Sequence, residues 1–185
     1  MEKGTLKCKN IVQNLLGFSR DSSLSENQNI QINEILNRAI LITELRTRAM
    51  GIRINVQDAG DKMLIYGRFH PLAQVFCNVL QNAYEAIAEK RKANPEFGGE
   101  ININAHKEKN EIVISIEDNG IGIDSRNLEY IFDPLFTTKD PEKNAGLGLP
   151  LAKQILQDHK AQIFGTINED RKTCFHIHFP VIPTS

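Results

Sequence analysis

Apolar positions along the chain fall into blocks whose period switches between that of a helix and that of a strand. Residues 3–19 carry Leu6, Cys8, Ile11, Val12, Leu15, Leu16 and Phe18 at mainly helical spacing. The wide apolar face of that helix calls for a second helix or a second subunit. Residues 20–29 are rich in Ser, Asn and Asp and read as a linker or solvated loop. Ile32, Ile35, Leu36, Ala39, Ile40, Ile42 and Leu45 mark a helix from Ile30 to about Ala49, closed by Gly51. Ile52–Val56 alternates as a strand, and Met63–Tyr66 is a second short one ended by Gly67. Pro71 then opens a helix from about Leu72 to Lys90, with Leu72, Val75, Phe76, Val79, Leu80, Ala83 and Ile87 in one stripe.

The second half reads the same way. Ile101–Ala105 alternates and pairs antiparallel with Glu111–Glu117 across 107–110. Ser125–Ile131 is a short helix with Asp124 as its cap. Residues 140–145 are polar and breaker-rich, a loop suited to closing over a ligand. Gly146–Leu149 opens a helix running to about His159, and strands follow near Gln162–Thr166 and Thr173–Phe179.

At 185 residues this is one well-buried domain with an appendage. A net charge of −1 gives no field that would draw nucleic acid or an anionic membrane. No apolar run approaches the roughly 18–20 residues of a spanning helix. Cys8, Cys77 and Cys174 are odd in number, far apart and without a C-x-x-C, which fits a reduced cytoplasmic setting.

The chemistry gathers around Glu117-Asp118-Asn119-Gly120-Ile121-Gly122-Ile123, at the end of a β-branched strand. A carboxylate there can accept from a ligand's amino group, and glycines let backbone approach a flat ligand closely. Asp-Asn-Gly between apolar runs is also a good hairpin turn, so alone it leaves both readings open. Asn78, Asn82 and Glu85, at i, i+4 and i+7, form a narrow polar stripe opposite the apolar face of their helix. A solvated face is the plain account. Asn is a weaker helix former than Lys, Glu or Gln, and a hard cation such as Mg²⁺ would give the amides a purpose. Gly146 and Gly148 at a helix start suit phosphates, or merely packing. Lys90-Arg91-Lys92 reads as a solvated helix end, with a place near phosphate as the alternative. His176 and His178 face solvent from a strand, and none of the five histidines is assigned catalysis.

Asn78-Val-Leu-Gln-Asn82-Ala-Tyr-Glu85, Asp118-Asn-Gly120-Ile-Gly122, Phe132-Asp-Pro-Leu-Phe-Thr-Thr138-Lys139 and Gly146-Leu147-Gly148-Leu149 occur in that order. Together they resemble the N, G1, F and G2 boxes of the catalytic ATP-binding domain of sensor histidine kinases, over roughly residues 30–180. The F box resembles the nitrogen-regulation type in particular. The resemblance implies an α+β fold, a two-layer α/β sandwich with a mixed sheet covered on one face by three helices and preceded by an N-terminal helix. It implies residues 1–20 as the second helix of a dimerisation and phosphotransfer hairpin, 21–29 as linker and 30–185 as the ATP-binding domain.

The cofactors implied are ATP and Mg²⁺. Asp118 would take the adenine amino group, with Gly120, Gly122 and Ile123 bordering the base and Thr173 supporting Asp118 from the last strand. Asn82 would coordinate Mg²⁺, with Asn78 beside the phosphates. Phe132, Thr138, Lys139, Gly146, Leu147, Gly148 and Leu149 would flank the triphosphate, Lys139 nearest the β- and γ-phosphates. Asn78, Glu85 and Lys139 are the catalytic candidates. Relatives that hydrolyse ATP resemble this chain but place a Glu where Asn78 stands, and an amide cannot take a proton from water. Phosphoryl transfer to a histidine is therefore favoured, for relay to the receiver domain of a response regulator. The other readings are a degenerate nucleotide-binding interaction module and an ATPase.

Departures from the family pattern are Asn144-Ala145 in place of Gly-Thr, Glu85 where many members carry Lys, and His159-Lys160-Ala161 for His-Gly-Gly. No histidine precedes His70, so the phosphoacceptor is expected on a segment outside this chain. Autophosphorylation of the chain alone is not expected. Its N-terminal helix is a candidate homodimer contact, and an intact parent anchored in a membrane is compatible with the pattern.

Overall fold

A computed structural model describes residues 26–57, 63–139 and 144–181. The expected N-terminal helix and most of the expected 140–145 loop lie outside the described residues. Five strands form one mixed sheet in the order β2-β4-β5-β7-β6, where β2 is Arg53–Gln57, β4 Glu100–Glu108, β5 Glu111–Asp118, β6 Gln162–Ile167 and β7 Thr173–Pro180. The edge strand β2 runs parallel to β4 and every other pairing is antiparallel. Helices α1 (Ile32–Ala49), α2 (Phe69–Ala93) and α3 (Gly148–Asp158) pack on the sheet's apolar face, with α2 between the other two. The expected sandwich is the observed one.

Alternation along the strands decides which face is covered. Ile101, Ile103, Ile114, Ile116, Phe175, Ile177 and Phe179 are buried against α2, whose Leu72, Val75, Phe76, Val79, Leu80, Ala83 and Ile87 form the other side of the core. The opposite face is mainly polar, with Val113 and Phe164 set among its histidines. There His176 bridges Ser115 and Thr166 at 3.2 and 2.9 Å, and His178 meets Glu111 at 2.8 Å. No group of side chains among the described residues gathers enough ligands to hold a metal ion by itself. None of the described helices is long and apolar enough to cross a membrane.

Three local expectations need correction. Ile30 belongs to a strand, not a helix: β1 (Gln28–Gln31) pairs antiparallel with β3 (Leu64–Gly67) in a separate two-stranded sheet. The buried side of α1 is carried on after Ala39 by Thr43 and Thr47, whose hydroxyls donate back to the Ala39 and Thr43 carbonyls at 3.0 and 3.3 Å. Ile42 and Leu45, expected in the apolar stripe, are exposed with Leu41. Finally, the helix expected over Ser125–Ile131 is one 3₁₀ turn, Ser125–Asn127, followed by turns. Asp124 caps it as expected, accepting from the Arg126 N–H at 3.0 Å. The C-terminal end of α1 does follow the sequence: Ile52 N–H reaches Thr47 O and Gly51 N–H reaches Arg48 O, both at 2.9 Å, the Schellman pattern.

Candidate active site

The sheet and helices leave one large cleft, about 1410 Å³, between the polar stripe of α2, the end of β5 and the start of α3. Asn78, Asn82, Glu85, Asp118, Gly122, Ile123, Thr138, Lys139, Gly146, Leu147, Gly148, Leu149 and Thr173 all line it. Drawn from positions as far apart as Asn78 and Thr173, they meet because α2 turns its amides away from the core. Two expected site residues stay out. Phe132 packs edge-on against Phe175 at 6.4 Å, and Phe136 lines the cleft instead. Gly120 lies behind the wall, where a Cβ would come within 2.6 Å of the Ala86 backbone carbon.

One end of the cleft is built around Asp118. It is 2 % exposed, the last residue of β5, and opposite Thr173 at the start of β7. Its Oδ1 accepts from the Gly120 N–H at 2.9 Å. Burial pushes its carboxyl up to about 6; the Gly120 N–H, Lys139 and Lys90 oppose the rise, and Glu117 adds to it. Thr173 Oγ1 is buried with no hydrogen-bond partner, a deficit of about 1–3 kcal/mol that a ligand's polar atom or a bridging water would remove. Gly122 has φ +76°, and a Cβ there would stand 2.4 Å from the Arg171 carbonyl oxygen, so the loop can carry no side chain at that point.

That loop is held by Lys90, expected from the sequence at a solvated helix end. Lys90 Nζ donates to the carbonyls of Asn119 and Gly120 at 2.7 and 3.1 Å and sits 4.3 Å from the Phe97 ring centroid. Lys90 is neither a solvated helix end nor a phosphate contact in this geometry. Asn119 adds two bonds of its own, accepting from Glu100 N–H at 2.8 Å and donating to Gly98 O at 2.9 Å. No sequence period signals these contacts; Lys90 and Asn119 are 29 residues apart.

The other end gathers most of the cleft's amides together with Lys139 and Glu85. Asn78 donates to Gly148 O at 2.9 Å and accepts from Gln74 at 2.8 Å, tying α2 to the first turn of α3. The opening backbone of that helix faces the cleft, a setting suited to phosphate. Lys139 donates to Asn82 Oδ1 at 3.1 Å and pairs with Glu85. Leu135 N–H reaches Gly146 O at 3.0 Å, joining the Phe132–Lys139 segment to the glycine pair. Gln81 and Arg46, absent from the sequence expectations, complete the wall: Arg46 donates to Gln81 at 2.9 Å, and Gln81 to Glu85 at 2.6 Å.

Residues 67–183 match the family described as histidine kinase-, DNA gyrase B-, and HSP90-like ATPase. The chain belongs to this family. Within it the likeness runs to histidine kinases. Sporulation kinase A of Bacillus subtilis is 26% identical over 170 residues, covering 92% of this chain and 26% of that protein. The signal transduction histidine-protein kinase AtoS of Escherichia coli is 33% identical over 156 residues, covering 83% of this chain and 24% of its own length. The chain thus spans about a quarter of these relatives. The nucleotide-free catalytic domain of histidine kinase ThkA superposes with a TM-score of 0.72 at 26% identity, over 85% of this chain and 99% of that one. This is an ATP-binding catalytic domain of the histidine-kinase type. These matches single out no narrower type, so the nitrogen-regulation likeness rests on Phe132–Lys139 alone.

Proposed function

We propose that residues 30–185 bind ATP with Mg²⁺ and pass its γ-phosphoryl group to the imidazole of a histidine on a dimerisation hairpin, for relay to a response regulator. Residues 1–20 are the proposed remnant of that hairpin and 21–29 the linker. The carrying observation is chemical: the cleft pairs a desolvated carboxylate and an orphan hydroxyl at one end with amides, a lysine and a helix start at the other. Adenine's exocyclic amine suits the first end, and a polyphosphate the second.

Asn78 bears an amide that already donates to Gly148 O, so it cannot activate a water. The domain's share would be positioning and charge stabilisation, with Lys139 and the backbone of Gly146–Leu149 beside the β- and γ-phosphates. Mg²⁺ fits Asn82 Oδ1, a hard neutral oxygen facing the cleft. The described side chains form no complete metal site of their own, and Mg²⁺ takes the rest of its shell from phosphate and water. Bound there it would neutralise charge on the β- and γ-phosphates. ThkA has also been seen in complex with the response regulator TrrA; that structure matches this fold with a TM-score of 0.74 at 23% identity. A receiver domain is accordingly the proposed downstream partner.

The test is calorimetric titration of ATP with Mg²⁺, followed by addition in trans of a histidine-bearing hairpin and [γ-³²P]ATP. Expected are micromolar to submillimolar binding and acid-labile label on the added hairpin only. Acid-labile label on the chain itself would overturn the placement of the acceptor histidine on another segment, and no transfer despite tight binding would overturn the kinase reading. Steady phosphate release lost in Glu85→Gln would favour the ATPase.

A further inference from the structure

Glu85 is out of place by charge, a carboxylate at the end of the cleft proposed to hold a polyphosphate. It is held there firmly. Its side chain is 21% exposed, Oε1 accepts from Gln81 at 2.6 Å, and Oε2 pairs with Lys139. With its nitrogen turned inward, the Asn144 amide lies 3.2 Å from both carboxylate oxygens. Lys139 also reaches Asn82 Oδ1 at 3.1 Å. The ammonium group best placed for a phosphate is therefore already neutralised, and its second partner is the oxygen proposed for Mg²⁺.

The geometry points to Glu85 as the residue that makes nucleotide binding conditional on a divalent cation. The inference rests on the ATP reading and concerns how the same site selects the form of its ligand. A bare polyphosphate that recruits Lys139 strips Glu85 of its counter-ion and leaves two like charges facing each other. Gln81 contributes only a neutral dipole, and Arg46 reaches the carboxylate only through Gln81. A cation on the phosphates and Asn82 changes the sign of the field at Glu85, so the carboxylate then attracts what it would otherwise repel. Free ATP is discriminated against, and cation-loaded ATP is accepted. At an effective dielectric of about 20, like charges roughly 5 Å apart repel enough to weaken binding by about a hundredfold.

The experiment titrates a non-hydrolysable ATP analogue into the full chain by calorimetry, once in EDTA and once in excess Mg²⁺. Wild type is compared with Glu85→Gln, which keeps an oxygen for Gln81, and with Lys139→Met, which keeps the carboxylate and removes its counter-ion. The quantity read is the ratio of the two Kd values. In wild type it should be about a hundredfold. Glu85→Gln should bring it below about tenfold, mainly by tightening binding in EDTA, and Lys139→Met should raise it. The Lys139→Met arm keeps the test decisive should Glu85→Gln fold poorly. Ratios unchanged in both variants, with wild type binding normally, would overturn the role of Glu85 and leave the ATP reading intact. Equal weakening by Glu85→Gln in both conditions would reduce Glu85 to a structural part and also overturn it. No binding by wild type in either condition would instead overturn the ATP reading and this inference with it.

Discussion

Replacing Asp118 by Asn should make the nucleotide-free protein more stable while weakening the adenine contact proposed for it. The side chain is 2 % exposed, and its carboxyl rises from an ordinary 3.8 to about 6, chiefly through desolvation. Because the folded value lies above the unfolded one, the unfolded chain gives up this proton first as pH rises. Below about 4 both states are protonated and the group contributes nothing. Between 4 and 6 the unfolded state gains, and above 6 the loss to the fold is complete. At about 1.4 kcal/mol per pH unit, the loss above pH 6 comes to about 3 kcal/mol. The isosteric amide keeps an oxygen for the Gly120 N–H and has no charge to desolvate.

Urea unfolding of both proteins, without nucleotide, at steps from pH 4 to pH 8 reads this directly. The midpoints should coincide near pH 4 and separate by roughly 1–3 M in favour of the variant above pH 6, for a slope of about 1–3 kcal/mol per molar urea. ATP affinity of the variant should fall about 10–100-fold, as expected for losing a hydrogen bond to a charged acceptor. A gap that stays flat with pH, or a variant less stable than wild type at pH 8, would refute the claim that this carboxylate is held desolvated.

Three further outcomes follow from the site geometry. Lys90→Met removes the cation bridging the Asn119 and Gly120 carbonyls and one that holds Asp118 down. ATP affinity should fall about tenfold, with the acid edge of its pH profile moving to higher pH and Lys90→Arg restoring both. Gly120→Ala puts a methyl 2.6 Å from the Ala86 backbone carbon. It should cost about 1–3 kcal/mol, a melting temperature lower by roughly 2–10 °C, and an unchanged melt would contradict the packing. Thr173→Val deletes a buried hydroxyl that has no partner. Stability should hold or rise by up to about 1 kcal/mol while ATP binding weakens; weakened stability with intact binding would reverse the assignment.

The elements that were legible in the sequence share a physical trait: their burial follows one period over several turns or pleats. α2 shows its whole apolar stripe, β7 alternates strictly and β5 alternates from Ile114 onward, because each buries one face against a single neighbour. β1 escaped because four residues with one buried side chain carry no period, and Ile30 is fixed by pairing with Ile65 from a distant part of the chain. Thr43 and Thr47 hid the turn of α1's buried face, since satisfying their hydroxyls on the helix's own carbonyls lets polar residues pass as core. In the site, the side chains on α2's stripe were readable from spacing alone. Lys90 and Gln81 were not, because their roles come from which loop or side chain folds against them.

Phe132 and Gly120 show the same limit from the other side. Both belong to motifs that resemble the family's boxes, and both serve the cleft from behind, one through the Phe175 ring and the other through the Ala86 backbone. A motif gives the order of residues along the chain, whereas binding depends on which of them break the surface. The residues that do break it carry most of the local cost. Asp118 is charged where burial opposes charge, Thr173 lacks a partner, and Glu85 sits among groups suited to an anion. In the proposed complex the costs at Asp118 and Thr173 would be lowest with nucleotide bound, so these groups would weaken the empty fold and give the filled one its selectivity. Stabilising substitutions in this domain should therefore concentrate at Asp118 and Thr173, and those that stabilise most without nucleotide should bind it least.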